Sequence, residues 1–245
     1  MNRSLKTNTA PRQHQRGLTL VELMVASTIS LLLMAGVTQV FLSSKVSHNL
    51  QNGLGRLQEN ARAALDILSL NISATGYNTG VGTVNKFNAA NTLNNTTPNT
   101  GLGFTVASGK ASDTIEINYL SATDCLGQAT GGTATDRYYI NGTNLMCLGN
   151  GSATPGIIAE GVENMQILYG EDSDNDKIAN RYINASNIAA NPIVSVRIAL
   201  LVSTNENIGT VDNNTYALLN TPILGPIKDN LLRRVFIRTI ILRNS

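Results

Sequence analysis

The sequence predicts an α+β protein: a long N-terminal α-helix followed by a globular domain built on antiparallel β-structure. Three observations predict it. Residues 18–42 are, with few exceptions, Leu, Val, Ile, Met, Ala, Ser and Thr; apolar residues then recur every three or four positions as far as Ile72; and the C-terminal half holds separated runs of β-branched and aromatic residues.

The first stretch, about 25 residues at roughly 1.5 Å each, is long enough to cross a bilayer core of about 30 Å. Arg3, Lys6, Arg12 and Arg16 precede it with no acidic residue among them, which orients the N-terminus to the cytoplasm. The apolar run is too long for the h-region of a cleaved secretory signal and lacks a small-x-small exit site, so the helix is expected to stay with the protein. Glu22 is out of place in it. A lone carboxylate in such a helix costs on the order of 2.5–3.5 kcal/mol, so it needs a partner. The plainer alternative is an ordinary signal anchor whose Glu22 snorkels to the headgroups.

Leu42, Val46, Leu50, Leu54, Leu57, Ala61, Leu65, Leu68 and Ile72 form one stripe, which predicts that the helix runs on to about Ala74, on the order of 80 Å in all. Repeated steps of four and the lack of flanking charge pairs argue against a coiled coil, so residues 43–75 are expected to pack on the protein's own domain. Gly36, Gly53 and Gly55 each weaken the helix by up to about 1 kcal/mol relative to Ala and mark where a bend is expected.

Residues 76–245 are read as one β-rich domain. Gly76 to Gly103, rich in Asn, Thr and Gly, reads as a long surface loop with room for a short strand. Strands are predicted at Thr114–Leu120, Arg137–Ile140, Val162–Tyr169, Val194–Ser203 and Val235–Arg243, the last an edge or penultimate strand.

The formal charge of +2 is set by the leader: without its four basic residues, 14 basic side chains face 16 acidic ones. The charge therefore speaks for orientation and not for nucleic-acid binding. Cys125 and Cys147, the two cysteines, both fall on the side predicted to lie outside the cytoplasm, where one disulfide is expected in preference to two free thiols. Asp172, Asp174 and Asp176 alternate as the opening of a calcium loop does, but the sixth position is Lys177 and the twelfth Ile183, which rejects an EF-hand. A looser Ca²⁺ site and a solvated acidic turn both remain as readings. His14 and His48, the two histidines, precede the domain, and no phosphate loop, dinucleotide fingerprint or nucleophile elbow occurs, which argues against an enzyme. Arg233, Arg234, Arg238 and Arg243 concentrate cationic charge near the C-terminus. Without Trp and with few aromatics between them, they read as a solvated strand edge in preference to a DNA contact.

The run Arg16-Gly17-Leu18-Thr19-Leu20-Val21-Glu22 resembles the type IV pilin family: a basic leader, Gly before the scissile bond, and Glu as the fifth residue of the mature helix. Leu18 stands where the family most often has Phe. Length, the helix end from Leu57 to Tyr77, the Val196–Leu201 run and the C-terminal strand resemble the PilW-like minor pilins. The resemblance implies a pilin-like fold, with residues 1–17 a leader, 18–42 a transmembrane and filament-core helix, 43–75 its amphipathic continuation and 76–245 a periplasmic domain. It implies cleavage by a prepilin peptidase between Gly17 and Leu18, N-methylation of Leu18, and pairing of Glu22 with the terminal amine of a neighbouring subunit. Implied partners are other minor pilins, the major pilin, the inner-membrane assembly platform and a tip adhesin. The implied role is initiation of a type IV pilus serving motility, adhesion or DNA uptake. A type II secretion pseudopilin, or a tip module that binds a ligand or DNA, is the alternative.

Overall fold

The computed structural model describes residues 17, 19–77, 87, 111–189, 191–209, 211–221 and 224–244. Residues 1–16 of the leader, Leu18 and most of the predicted Gly76–Gly103 loop lie outside the described residues. Two compact units are present, one through Ser47 and one from His48 onward.

Helix α1 runs from Leu20 to Ser73 without interruption at Gly36, Gly53 or Gly55. Within the first unit its apolar side chains are exposed, and it is long and apolar enough to cross a membrane. Four of its hydroxyls are internally bonded: Ser27, Thr28, Ser30 and Thr38 each donate to a carbonyl three or four residues back, which satisfies them within an apolar surrounding.

In the second unit the predicted stripe becomes a buried face, with Leu57, Ala61, Ala64, Leu65, Leu68 and Ile72 inside the core. Each of the larger side chains contributes roughly 1.5–3 kcal/mol by leaving water. Gly53 lets α1 approach closely, since a Cβ there would meet the Thr204 methyl at 3.2 Å. Asn71 donates to the buried Tyr138 hydroxyl at 2.6 Å, and the chain leaves the helix through Gly76 at φ +77°, a left-handed exit that favours glycine.

The β-structure forms two four-stranded antiparallel sheets. One takes β1 (Ile115–Thr123), β2 (Ala129–Asn141), β3 (Asn144–Gly149) and β4 (Gly156–Glu160) in sequence order. The other contains β5 (Val162–Glu171), β6 (Arg181–Ile183), β7 (Ile193–Ser203) and β8 (Arg233–Ile241), in the order β6-β5-β7-β8. The main core joins the buried face of α1 to Ile115, Ile117, Tyr138, Met165, Ile167, Tyr169, Val196, Ile198 and Leu200. On the other face of β7, Ala199 and Leu201 form a smaller cluster with Tyr216, Leu218 and Leu224. β5 is buried along its whole length, and its two carboxylates, Glu163 and Glu171, both have arginine partners.

Candidate functional site

The N-terminus of α1 is organised by Thr19 and Glu22. Glu22 donates its backbone N–H to Thr19 Oγ1 at 3.2 Å, while its carboxylate accepts from the Thr19 hydroxyl at 3.3 Å and from the Thr19 N–H at 3.4 Å. This is a capping box, in which two otherwise unpaired helix-end donors are satisfied reciprocally. The carboxylate also lies at the end of the helix where the macrodipole favours negative charge. Gly17 is exposed immediately before this turn, with open space around its Cα. The chemistry that the structure gives Glu22 is that of a helix cap. Thr19 was not among the residues predicted, yet Thr-x-x-Glu before an apolar run is the signal that identifies it.

The two cysteines form a disulfide that ties the turn after β1 to β3, with Cα atoms 6.6 Å apart. The turn is held a second time by Asp124, whose carboxylate accepts from the Leu126 and Gln128 N–H groups and the Ser152 hydroxyl. Buried Asp136 accepts from the Cys125 N–H at 3.0 Å and from the Tyr119 hydroxyl at 2.6 Å. Burial pushes the Asp136 carboxyl above its ordinary value.

Asp172, Asp174 and Asp176 do converge, with one oxygen from each within 4.8 Å of the others. Asp172 is buried and its oxygens already serve the loop, accepting from the backbone N–H groups of Asp174, Asn175 and Lys177. Asp176 likewise accepts from the Ile178 N–H. Asn175 and Lys177 sit at φ +62° and +68°, so the loop is a compact turn wrapped around one carboxylate.

The arginine cluster is divided by the fold. Arg234 and Arg243 are exposed, but Arg233 is buried at 4% exposure and Arg238 donates to Asp66 of α1 at 2.6 Å. The expected solvated edge is therefore corrected for these two. Arg233 binds Glu163 through two bonds of 2.8 and 2.9 Å and also reaches Asp229 at 2.6 Å and Asp212 at 3.2 Å. Burial works to raise the Asp212 carboxyl, but the Asn214 N–H, the Tyr216 hydroxyl and Arg233 together hold it below the ordinary 3.8. Arg233 lowers Asp229 in the same sense.

A polar groove of about 270 Å³ lies between Asn52, Arg56 and Asn60 of α1 and the 203–206 turn. Its hydroxyls are engaged with backbone: Ser203 donates to the Gly161 carbonyl and Thr204 to the Glu206 carbonyl. Among its described lining residues, no nucleophile is paired with a base.

Residues 129–244 match the family model for type IV pilus-assembly protein W, and residues 12–38 match the prokaryotic N-terminal methylation motif. The C-terminal half of the chain is PilW-like. The first match covers β2 through the end of β8 and the second covers the leader end and the capped start of α1, so both regions carry the resemblance. Among solved structures, the chain is similar to a type IV-like pilin from Thermus thermophilus at 17% identity, covering 77% of this chain and 96% of that one with a TM-score of 0.46. No curated protein matches. The PilW-like region contains the Arg233 network and the disulfide partner Cys147, so the features that hold the domain together fall within the matched segment.

Proposed function

We propose that this chain is a minor pilin that helps to initiate or cap a type IV pilus, acting as a structural subunit without catalysis of its own. The observation that carries the reading is the Thr19–Glu22 box at the head of an exposed apolar helix, inside a methylation-motif match and followed by a PilW-like domain. The helix anchors the precursor in the inner membrane, with the N-terminus cytoplasmic and the domain periplasmic. Prepilin peptidase cuts between Gly17 and Leu18, and Leu18 is N-methylated.

Until assembly the capping box holds the Glu22 charge by local hydrogen bonds. In the filament the same carboxylate pairs with the amine of a neighbouring subunit, exchanging a neutral donor for a charged one. The major pilin, other minor pilins, the assembly platform and a tip adhesin are the expected partners, and the mature subunit resides in the pilus.

The test is a deletion strain in which sheared surface pilin and secreted protein are both measured, with wild-type and complemented controls. Lost pili with normal secretion is the expected result. Intact pili with blocked secretion would reassign the chain to the type II secretion pseudopilins, a reading that the PilW match disfavours.

A further inference from the structure

Among the described residues, strand β8 ends its sheet and pairs only with β7, through nine consecutive residue pairs with no register shift. The phase of the ladder is fixed at both ends. Leu242 donates its N–H to Val194, and Leu232 accepts from Thr204. Even-numbered residues therefore turn their backbone groups toward β7, and odd-numbered ones turn theirs outward. Arg243 agrees, since its N–H goes to the Ser73 carbonyl at the end of α1. Val235, Ile237, Thr239 and Ile241 are left with outward backbone groups that meet no strand among the described residues.

The other edges are closed or short. β1 is covered by the chain leaving α1, through Gly76 N–H to Asn118 O, Leu120 N–H to Tyr77 O, and a bridge between Phe87 and Ile117. β6 has three residues and β4 has five, next to a register shift. β8 is long and regular, and it exposes Ile237 by 56% and Ile241 by 72%. A long open edge with β-branched side chains on it is a template for another strand.

The charges select which strand. Arg234 and Arg238 lie on the α1 side of β8, and Arg234 has no ion pair among the described residues, whereas Arg238 has Asp66. Pairing with a second copy of β8 would set these arginines beside their own copies on the same face, where like charges repel. We propose that the β8 edge receives an extended strand from a different pilus subunit, with carboxylates opposite Arg234 and aliphatic side chains beside Ile237 and Ile241. That the donor is a pilus subunit rests on the assembly reading above.

The test uses the full chain in piliated cells, with photoreactive benzoylphenylalanine in place of Ile237 or, separately, Ile241. The expected product is an adduct to an acidic strand of another pilus subunit, mapped by mass spectrometry. Thr239→Pro removes an outward N–H and leaves the backbone ladder to β7 intact, losing with it the exposed bond from Arg197 to the Thr239 hydroxyl, and Arg234→Glu reverses the free charge. Each is expected to cut adduct yield roughly tenfold, the equivalent of about 1.4 kcal/mol, while the purified variants melt within about 3 °C of wild type. No adduct, an adduct only to a second copy, or a yield unchanged by Thr239→Pro would overturn the proposal. Sheared pili from Glu22→Ala cells separate the two claims. Pili lost in Glu22→Ala but normal in Thr239→Pro refute the edge alone, and pili normal in both refute the assembly reading as well.

Discussion

Replacing Arg233 with Met should be among the most damaging single changes in the domain. The guanidinium is the cation for Glu163 and Asp212, whose side chains are 1% and 2% exposed, and it also binds Asp229, which at 38% keeps access to water. Met fills similar volume but leaves two carboxylates buried without a counter-charge. Removing one member of a buried pair costs about 3–5 kcal/mol, chiefly because of the charge left behind. For a domain of this size each kcal/mol moves Tm by about 2–4 °C, so the variant should melt about 6–20 °C lower. The assay is near-ultraviolet circular dichroism of the full chain in detergent, heated at pH 7 and again at successively lower pH.

In wild type, Asp212 and Asp229 titrate below the ordinary aspartate value of 3.8. Their contribution is thus present above that value and lost as pH falls through their lower folded values. The variant has no cation to lose, and protonation relieves its buried charges, so the gap between the two proteins should narrow on acidification. Arg233→Lys should fall between them, because an ammonium cannot make the two parallel bonds to Glu163. A loss of less than about 2 °C for Arg233→Met at pH 7 would refute the reasoning.

Cys125→Ser with Cys147→Ser should cost about 2–5 kcal/mol, read as a lower Tm that reductant reproduces in wild type and does not add to in the variant. Asp172→Ala should lower Tm by releasing the N–H groups of Asn175 and Lys177. Burial works to raise the Asp172 carboxyl and those N–H groups outweigh it, so its contribution in wild type is lost as pH falls through its lowered folded value. Titrating Ca²⁺ into the same two proteins tests the alternating carboxylates as a cation site: a rise in wild-type Tm that Asp172→Ala abolishes is the result such a site requires. Glu22→Ala should leave membrane insertion and cleavage before Leu18 intact, with mature protein read by N-terminal sequencing, yet reduce its recovery with sheared pili. Thr19→Ala should keep that recovery while losing about 1 kcal/mol of helix capping, seen as faster amide exchange in the first turn.

The elements most legible in the sequence are those whose burial has a simple period. Leu57 to Ile72 mark the buried face of α1, and the runs at β1, β5, β7 and β8 are continuous enough to stand out. The first half of β2, Ala129-Thr-Gly-Gly-Thr-Ala-Thr, has the composition of a turn. It is a strand because β1 pairs with it from Ala129 onward and Asn150 holds Thr133 and Thr135 from the other side. β3, β4 and β6 are short and lack a pattern of their own; their neighbours impose the extended backbone. At the N-terminus Glu22 announces itself by being charged among apolar residues, while Thr19 is unremarkable until the helix start is known. The role of Arg233 was hidden because Glu163, Asp212 and Asp229 come from separate parts of the chain, and the sequence shows only a cluster of like charges around it.

The order in which the chain is made gives β8 a further consequence. Asp66 waits 172 residues for Arg238, and Glu163 waits 70 for Arg233. A chain that lengthens from its N-terminus can form the helix and most of both sheets while their acidic side chains still lack these cations. Closing such distant contacts is slow compared with local folding. The last strand therefore serves as a seal: a polypeptide interrupted before Arg233 keeps the Glu163 and Asp212 carboxylates without their cation inside an open sheet.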